Sequence, residues 1–321
     1  MRDYQIFIMG FFTSLFFQNA ENDHQQKVDQ KNFDILKYDG VRAQRVGKTE
    51  YAVKCFTEAL KIQKDFETMQ YLMSTFYMLN RHDQALEVLD EMVDTGQDPV
   101  STLLTRANLL STMGRNEEAV TDCKQAIGLM AENHLAYYQL ARSERALGNL
   151  EESIDSLTNA INLKDDFAEG FLLRAGIYLM LKKGNDALAD VEKVIELTPE
   201  DETAYLLRGR IRELLGNTEA AFVDYQQASE LNPFNEEAYL LAAQLMMSQE
   251  KYKEAIALFD EAIEHNERFA KAYAGRAQAK RKTNDTEGAL ADEEKMAEFT
   301  SDDQEKPTGN QNFVDVGKAI L

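Results

Sequence analysis

Apolar and small residues recur along this chain at helical spacing inside a longer period. Around Tyr137, Leu140 and Ala141 the apolar positions fall at i, i+3 and i+4, the spacing of one helix face. The longer period is clearest in a column of small residues. Ala52, Ala85, Ala119, Ser153, Ala187, Ala221, Ala255 and Ala289 stand 33 residues apart at the first step and 34 at every later one. Seven residues further on run Ala59, Met92, Ala126, Ala160, Val194, Ala228, Ala262 and Met296. Between these columns lie Phe56, Leu89, Cys123, Leu157, Val191, Tyr225 and Phe259, with Glu293 breaking the series in the last copy. Upstream in each unit a large residue recurs: Leu36, Met69, Leu103, Tyr137, Phe171, Tyr205, Tyr239, Tyr273. The midpoint of most units carries Gly47, Asn80, Gly114, Gly148, Gly216 or Asn284, residues that tolerate the left-handed backbone closing a helix. The pattern predicts eight helix pairs beginning at residues 33, 66, 100, 134, 168, 202, 236 and 270. In the fifth copy the glycine has moved to Gly184 and in the seventh Glu250 stands at the midpoint, so these two turns are expected to differ. A single pair cannot bury its own apolar face, which makes stability a matter of neighbour contacts. Glu293, acidic where the other copies are apolar, marks the last second helix as a solvated cap.

A 34-residue unit of this kind resembles the tetratricopeptide repeat family, whose pattern has a bulky residue at position 4, small residues at 8, 20 and 27, an aromatic at 24 and often proline at 32. Residues 202–233 carry it through Tyr205, Gly209, Ala221, Tyr225, Ala228 and Pro233, and Pro199 holds the same last place in the fifth copy. The resemblance spans residues 33–300 and implies an all-α fold: a right-handed superhelical solenoid of stacked antiparallel helix pairs, eight units in all. Small side chains at 8, 20 and 27 let helix axes approach where larger ones would overpack the contact. The resemblance also implies a non-catalytic protein–protein interaction scaffold that takes a peptide or protein partner in a concave groove lined by the first helices. The alternative is a structural subunit of a larger or self-associating assembly in the cell envelope.

In that family positions 5, 9 and 12 face the groove. Here they read Tyr138, Arg142 and Arg145 in the fourth copy, and Leu172, Gly176 and Leu179 in the fifth. The sixth copy has Leu206, Arg210 and Glu213, and the seventh Leu240, Gln244 and Met247. An apolar strip bordered by arginine suits a peptide with apolar anchors and some negative charge. The competing expectation is that the leucines complete packing between repeats. The family's carboxylate clamp needs Lys at 5 with Asn at 9; the first copy has Lys37 but Val41, and no copy supplies the set.

Arginine occupies position 7 in four copies (Arg106, Arg174, Arg208, Arg276), and the same four carry aspartate at position 23 (Asp122, Asp190, Asp224, Asp292). The other four copies have neither. Joint presence and joint absence point to a structural contact between the two helices of one repeat, since a guanidinium in a helix seam needs a carboxylate.

Composition narrows the chemistry. With 56 Asp+Glu against 35 Lys+Arg the net charge is −21, which repels phosphate backbones and argues against nucleic acid as partner. His24, His82, His134 and His265 are dispersed, with no pair at metal-ligand spacing. Cys55 and Cys123 lie two repeats apart on packing positions, out of disulfide reach, and are read as buried thiols. No phosphate-binding glycine loop and no nucleophile motif occurs, so neither an enzyme, a metal site nor a small-molecule cofactor is expected.

The N-terminus stands apart. Ile6 to Phe17 form an apolar run of twelve residues. As a helix it spans about 18 Å, against roughly 30 Å of bilayer hydrocarbon, so no transmembrane span is expected. The length suits a signal-peptide core, with Ala20 before the cut, giving a signal peptide at 1–20 and an exported protein, periplasmic or secreted. Should the run instead fold onto the first repeat, the protein is cytoplasmic. Residues 21–32 are then a linker, and 301–321 a flexible tail.

Overall fold

The computed structural model describes the backbone of residues 2–305 and the side chains of residues 24–300, and within these it holds sixteen α-helices and no strand. The apolar run Ile6–Phe17, the Ala20 site and the distal tail lie outside the described side chains. Contacts divide the chain into two units that meet after Ser153. The first contains α1 (Arg2–Arg45), α2 (Thr49–Ile62), α3 (Phe66–Met78), α4 (His82–Thr95), α5 (Pro99–Thr112), α6 (Asn116–Leu129) and α7 (His134–Ala146). The boundary falls inside α8 (Leu150–Leu163). The second unit continues with α9 (Ala168–Met180), α10 (Gly184–Leu197), α11 (Glu202–Leu214) and α12 (Thr218–Leu231). It ends with α13 (Glu236–Ser248), α14 (Tyr252–His265), α15 (Ala270–Lys282) and α16 (Thr286–Glu305).

Each 34-residue unit is thus one helix pair. Within each unit of the chain consecutive helices pack, and first helices of adjacent repeats also touch, as α5 does α7 and α13 does α15. The fold is an all-α solenoid of helix pairs. Every member of the small column, from Ala52 to Ala289, is completely buried, which is why no larger residue stands there. Several first helices start on a capping side chain: Asp65 accepts from Thr68 N, Asn133 from Leu135 N and Ala136 N, and Asn235 from Ala238 N.

The aromatic at position 24 is matched by a missing side chain opposite. A Cβ on Gly209 would lie 2.3 Å from the Tyr225 ring, and one on Gly40 2.5 Å from the Phe56 ring. In the seventh copy the glycine facing Phe259 comes from the next repeat, as Gly275. Ring and glycine together fill the volume that Ala141 with Leu157 fills in the fourth copy and Ala175 with Val191 in the fifth.

Two expectations need correcting. The turns of the fifth and seventh copies do not differ from the rest. Lys182 (φ 57°) and Glu250 (φ 60°) take the left-handed place that Gly148 (φ 82°) holds in the fourth copy. The closing bonds are also the same, Lys183 N to Tyr178 O and Lys251 N to Met246 O, as Asn149 N to Glu144 O. The pitch of the helix pair demands this backbone whatever residue stands there. Gly184 serves a different need: a Cβ on it would meet Leu215 Cδ2 at 2.7 Å. The second correction concerns 21–32, which is not a linker but helix, continuous with the first helix of the first copy. At the other end the first five residues of 301–321 extend α16.

The four arginines of position 7 lie against the aspartates of position 23. Arg106 donates from Nε and Nη2 to Asp122 at 2.8 and 2.7 Å, and Arg174 to Asp190 at 2.7 and 2.8 Å. Arg208 and Arg276 do the same to Asp224 and Asp292. The Asp122 hydrogen bond holds the Arg106 guanidinium firmly in its charged form, and Asp292 does this for Arg276. A further acceptor stands on the second helix of the preceding repeat. Arg106 Nη1 donates to Asp90 at 2.7 Å, Arg174 Nη1 to Thr158 Oγ1 at 2.8 Å and Arg276 Nη1 to Asp260 at 2.6 Å. One guanidinium therefore ties three helices.

Cys55 and Cys123 are buried free thiols. Burial, reinforced by Asp122 and Glu144, pushes the Cys123 thiol up to about 12, so it stays protonated. At the last repeat Glu293 is partly exposed and paired with Arg281, while Phe299 buries its ring beside Tyr273 at 5.6 Å. The described residues of α16 are solvated on one side and anchored on the other.

Candidate functional site

Residues at positions 2, 5, 6 and 9 of a first helix follow i, i+3, i+4 and i+7, so they share one face. On α5 these are Ser101, Leu104, Thr105 and Asn108, and on α7 Leu135, Tyr138, Gln139 and Arg142. Between the two helices runs a groove of 560 Å³. Val100, Leu104, Leu135 and Tyr138 give it apolar walls, and Met130 closes one end. Leu135 and Met130 are each 51% exposed, apolar surface with no cover. Ser101, Thr105, Asn108, Asn133 and Gln139 supply neutral polar atoms along it, and Asp98 a carboxylate.

One lining side chain, Gln139, is held by hydrogen bonds. Gln139 is buried, donates from Nε2 to Ser111 Oγ at 3.4 Å and accepts from Arg142 Nη1 at 3.1 Å. Ser111 and Ser143 share a hydroxyl contact at 3.0 Å between the two first helices. Side chains held in this way lose little further freedom when a ligand arrives. Arg142 is exposed at the groove's edge, and Arg145 one turn on is half-buried. Burial, then the neighbouring Arg142 charge, lowers the Arg145 pKa from its ordinary value, because the guanidinium holds no carboxylate among the described residues.

The other proposed groove residues sit differently. Leu206 is only 7% exposed and lies in the core of the second unit with Tyr239, Ala242 and Met246. Leu240 and Met247 are half-buried against the same cluster. Leu172 and Leu179 pack on the cluster of Ala175, Val191 and Ile211. Arg210 forms an ion pair with Glu237, and Gln244 is exposed. Of the apolar strip expected across the fifth to seventh copies, Leu206 is buried in the core, and Leu172, Leu179, Leu240 and Met247 are half-buried against the neighbouring clusters. At the same repeat position Leu104 is half-buried against the core and lines the groove beside Ser101 and Thr105. The residues missed from sequence are those of α5, and the signal was Thr105 where the fifth to seventh copies have Leu173, Leu207 and Leu241. Among the described residues no group of three His, Cys, Asp or Glu is placed to hold a metal ion, and no helix is long and apolar enough to cross a membrane.

The sequence pattern described as Tetratricopeptide repeat matches residues 104–169, 172–236 and 240–305. No curated protein matches the chain in sequence. Among solved structures, the C-terminal part of a TPR repeat-containing protein from Cytophaga hutchinsonii is similar with a TM-score of 0.60 at 16% identity, over 74% of this chain and 98% of that one. A tetratricopeptide repeat protein from Parabacteroides merdae gives a TM-score of 0.57 at 18% identity, over 73% and 93%. At such identities the likeness concerns the fold.

Proposed function

The chain belongs to the tetratricopeptide repeat family, and on that footing we propose that it is a non-catalytic scaffold holding a peptide or protein segment in the α5–α7 groove. The observation that carries this reading is the groove's make-up, exposed Leu135 and half-buried Tyr138 beside Gln139, whose side chain is held by Ser111 and Arg142. An apolar side chain of the partner covers Leu135 and Tyr138 and gains the free energy of leaving water. Asn108, Thr105 and Gln139 offer donors and acceptors to its backbone. Arg142 at the edge favours a partner with negative charge.

The test is photo-crosslinking in the protein's own cell, with a benzophenone amino acid replacing Leu135 or, on α6, the second helix of the preceding repeat, exposed Gln125. A partner trapped from position 135 and not from 125 is the expected result. Adding Tyr138→Ala should weaken that capture without lowering the melting temperature. Trapping from position 125 alone would refute the reading.

A further inference from the structure

The arrangement Tyr-x3-Arg-x2-Arg occurs twice, as Tyr38, Arg42 and Arg45 on α1 and as Tyr138, Arg142 and Arg145 on α7. At i, i+4 and i+7 the three side chains share a helix face. In so acidic a chain arginines readily find carboxylates: Arg81 holds Glu50 and Arg115 holds Glu118, though both are well exposed. Arg42, Arg45, Arg142 and Arg145 hold none among the described residues. The α1 triplet lines a cavity of 500 Å³ between α1 and α3, together with Lys37, Val41 and Tyr71. Lys37 is already neutralised, at 2.9 Å from Asp65 and 2.7 Å from Glu67. The cationic groups left for a ligand are Arg42 and Arg45. Tyr38 is 66% exposed, and Tyr71 is fixed by stacking on Phe56 at 5.6 Å.

We propose that the α1–α3 cavity is a second peptide-accepting site of the first unit, selective for an acidic segment that also carries an apolar side chain. Carboxylates of the segment meet the guanidinium forks of Arg42 and Arg45, while the apolar side chain covers Tyr38, Val41 and Tyr71. Glu67 in the cavity wall and the charge of −21 disfavour a dense polyphosphate, whereas a peptide can direct its carboxylates to one side. The proposal rests on the reading that grooves between first helices take peptide.

Calorimetry on the full chain tests it, with a short peptide of alternating Glu and Leu as probe and its Gln-for-Glu twin as control. The expected result is two equivalents of the Glu peptide bound at low salt. Arg42→Glu with Arg45→Glu should remove one equivalent and leave the melting curve unchanged. The Gln twin should bind about tenfold more weakly or worse, the loss expected when charge-assisted contacts go. If wild type and this variant both bind one equivalent, which Leu135→Glu abolishes, the α1–α3 site is overturned and the α5–α7 reading stands. If Leu135→Glu leaves both equivalents in place, the α5–α7 reading fails while the α1–α3 site stands. Equal uptake of the Gln twin, or an equal loss on Lys54→Glu with Lys124→Glu, would reduce the effect to overall charge and sink the proposal. So would a peptide-free dimer that the arginine reversals dissolve, since the occupant would then be a second copy.

Discussion

Asp190→Ala is the sharpest perturbation of the arginine seam. It removes both acceptors of a paired guanidinium, at 2.7 and 2.8 Å, where the Arg174 and Asp190 side chains are 15% and 8% exposed. Burial alone would lower the Arg174 pKa; the Asp190 hydrogen bond and charge outweigh it and raise it. Stripping one partner from a buried pair costs about 3–5 kcal/mol, because the other charge stays buried. Arg174 keeps two compensations, its bond to Thr158 Oγ1 at 2.8 Å and the rings of Phe171 and Tyr178 within 6 Å. Those contacts and the residual exposure bring the expected loss to about 2–4 kcal/mol. Asp190→Asn, which keeps an acceptor without the charge, should lose about half as much. Arg174→Met with Asp190→Leu should come within about 1 kcal/mol of wild type, since the pair's Coulombic gain is largely spent on its desolvation. Urea unfolding followed by far-UV circular dichroism gives each value, and amide exchange in α9 and α10 shows whether the loss is local to the pair. A loss below about 1 kcal/mol for Asp190→Ala, with near-zero coupling to Arg174→Ala, would refute the reasoning.

Three further outcomes are expected. Lys182→Gly and Glu250→Gly should each stabilise the fold by roughly 0.5–1 kcal/mol, measured as a shift in the urea midpoint, because a side chain at φ 57° or 60° carries left-handed strain that glycine lacks. Gly209→Ala should cost about 1–3 kcal/mol, since its Cβ would lie 2.3 Å from the Tyr225 ring; Tyr225→Leu in the same chain should recover part of that in thermal melts. We propose export, with the mature protein beginning near Glu21; Met1 intact on N-terminal sequencing of protein from its own cell would exclude it.

The sequence by itself determined the repeat, its length, the all-helical pairing and the identity of the buried columns. A completely buried column of small residues is a local demand, met or broken at each position separately, and so it is written into every copy. The pairing of Arg with Asp sixteen residues on was legible for the same reason, since both ends lie within one unit. The acceptors of the third helix, Asp90, Thr158 and Asp260, were not, because they belong to the preceding repeat and vary in type. Tertiary structure also decided the turns. Lys182 and Glu250 look like departures in sequence, yet the spacing of the two helices imposes the same left-handed backbone on them. It decided the site as well. Periodicity places Leu104 and Leu206 on equivalent helix faces, but one lines a groove and the other is buried against α13. How much water reaches a side chain depends on the volume its neighbours leave between two helices, a property of pairs of repeats and not of any one of them.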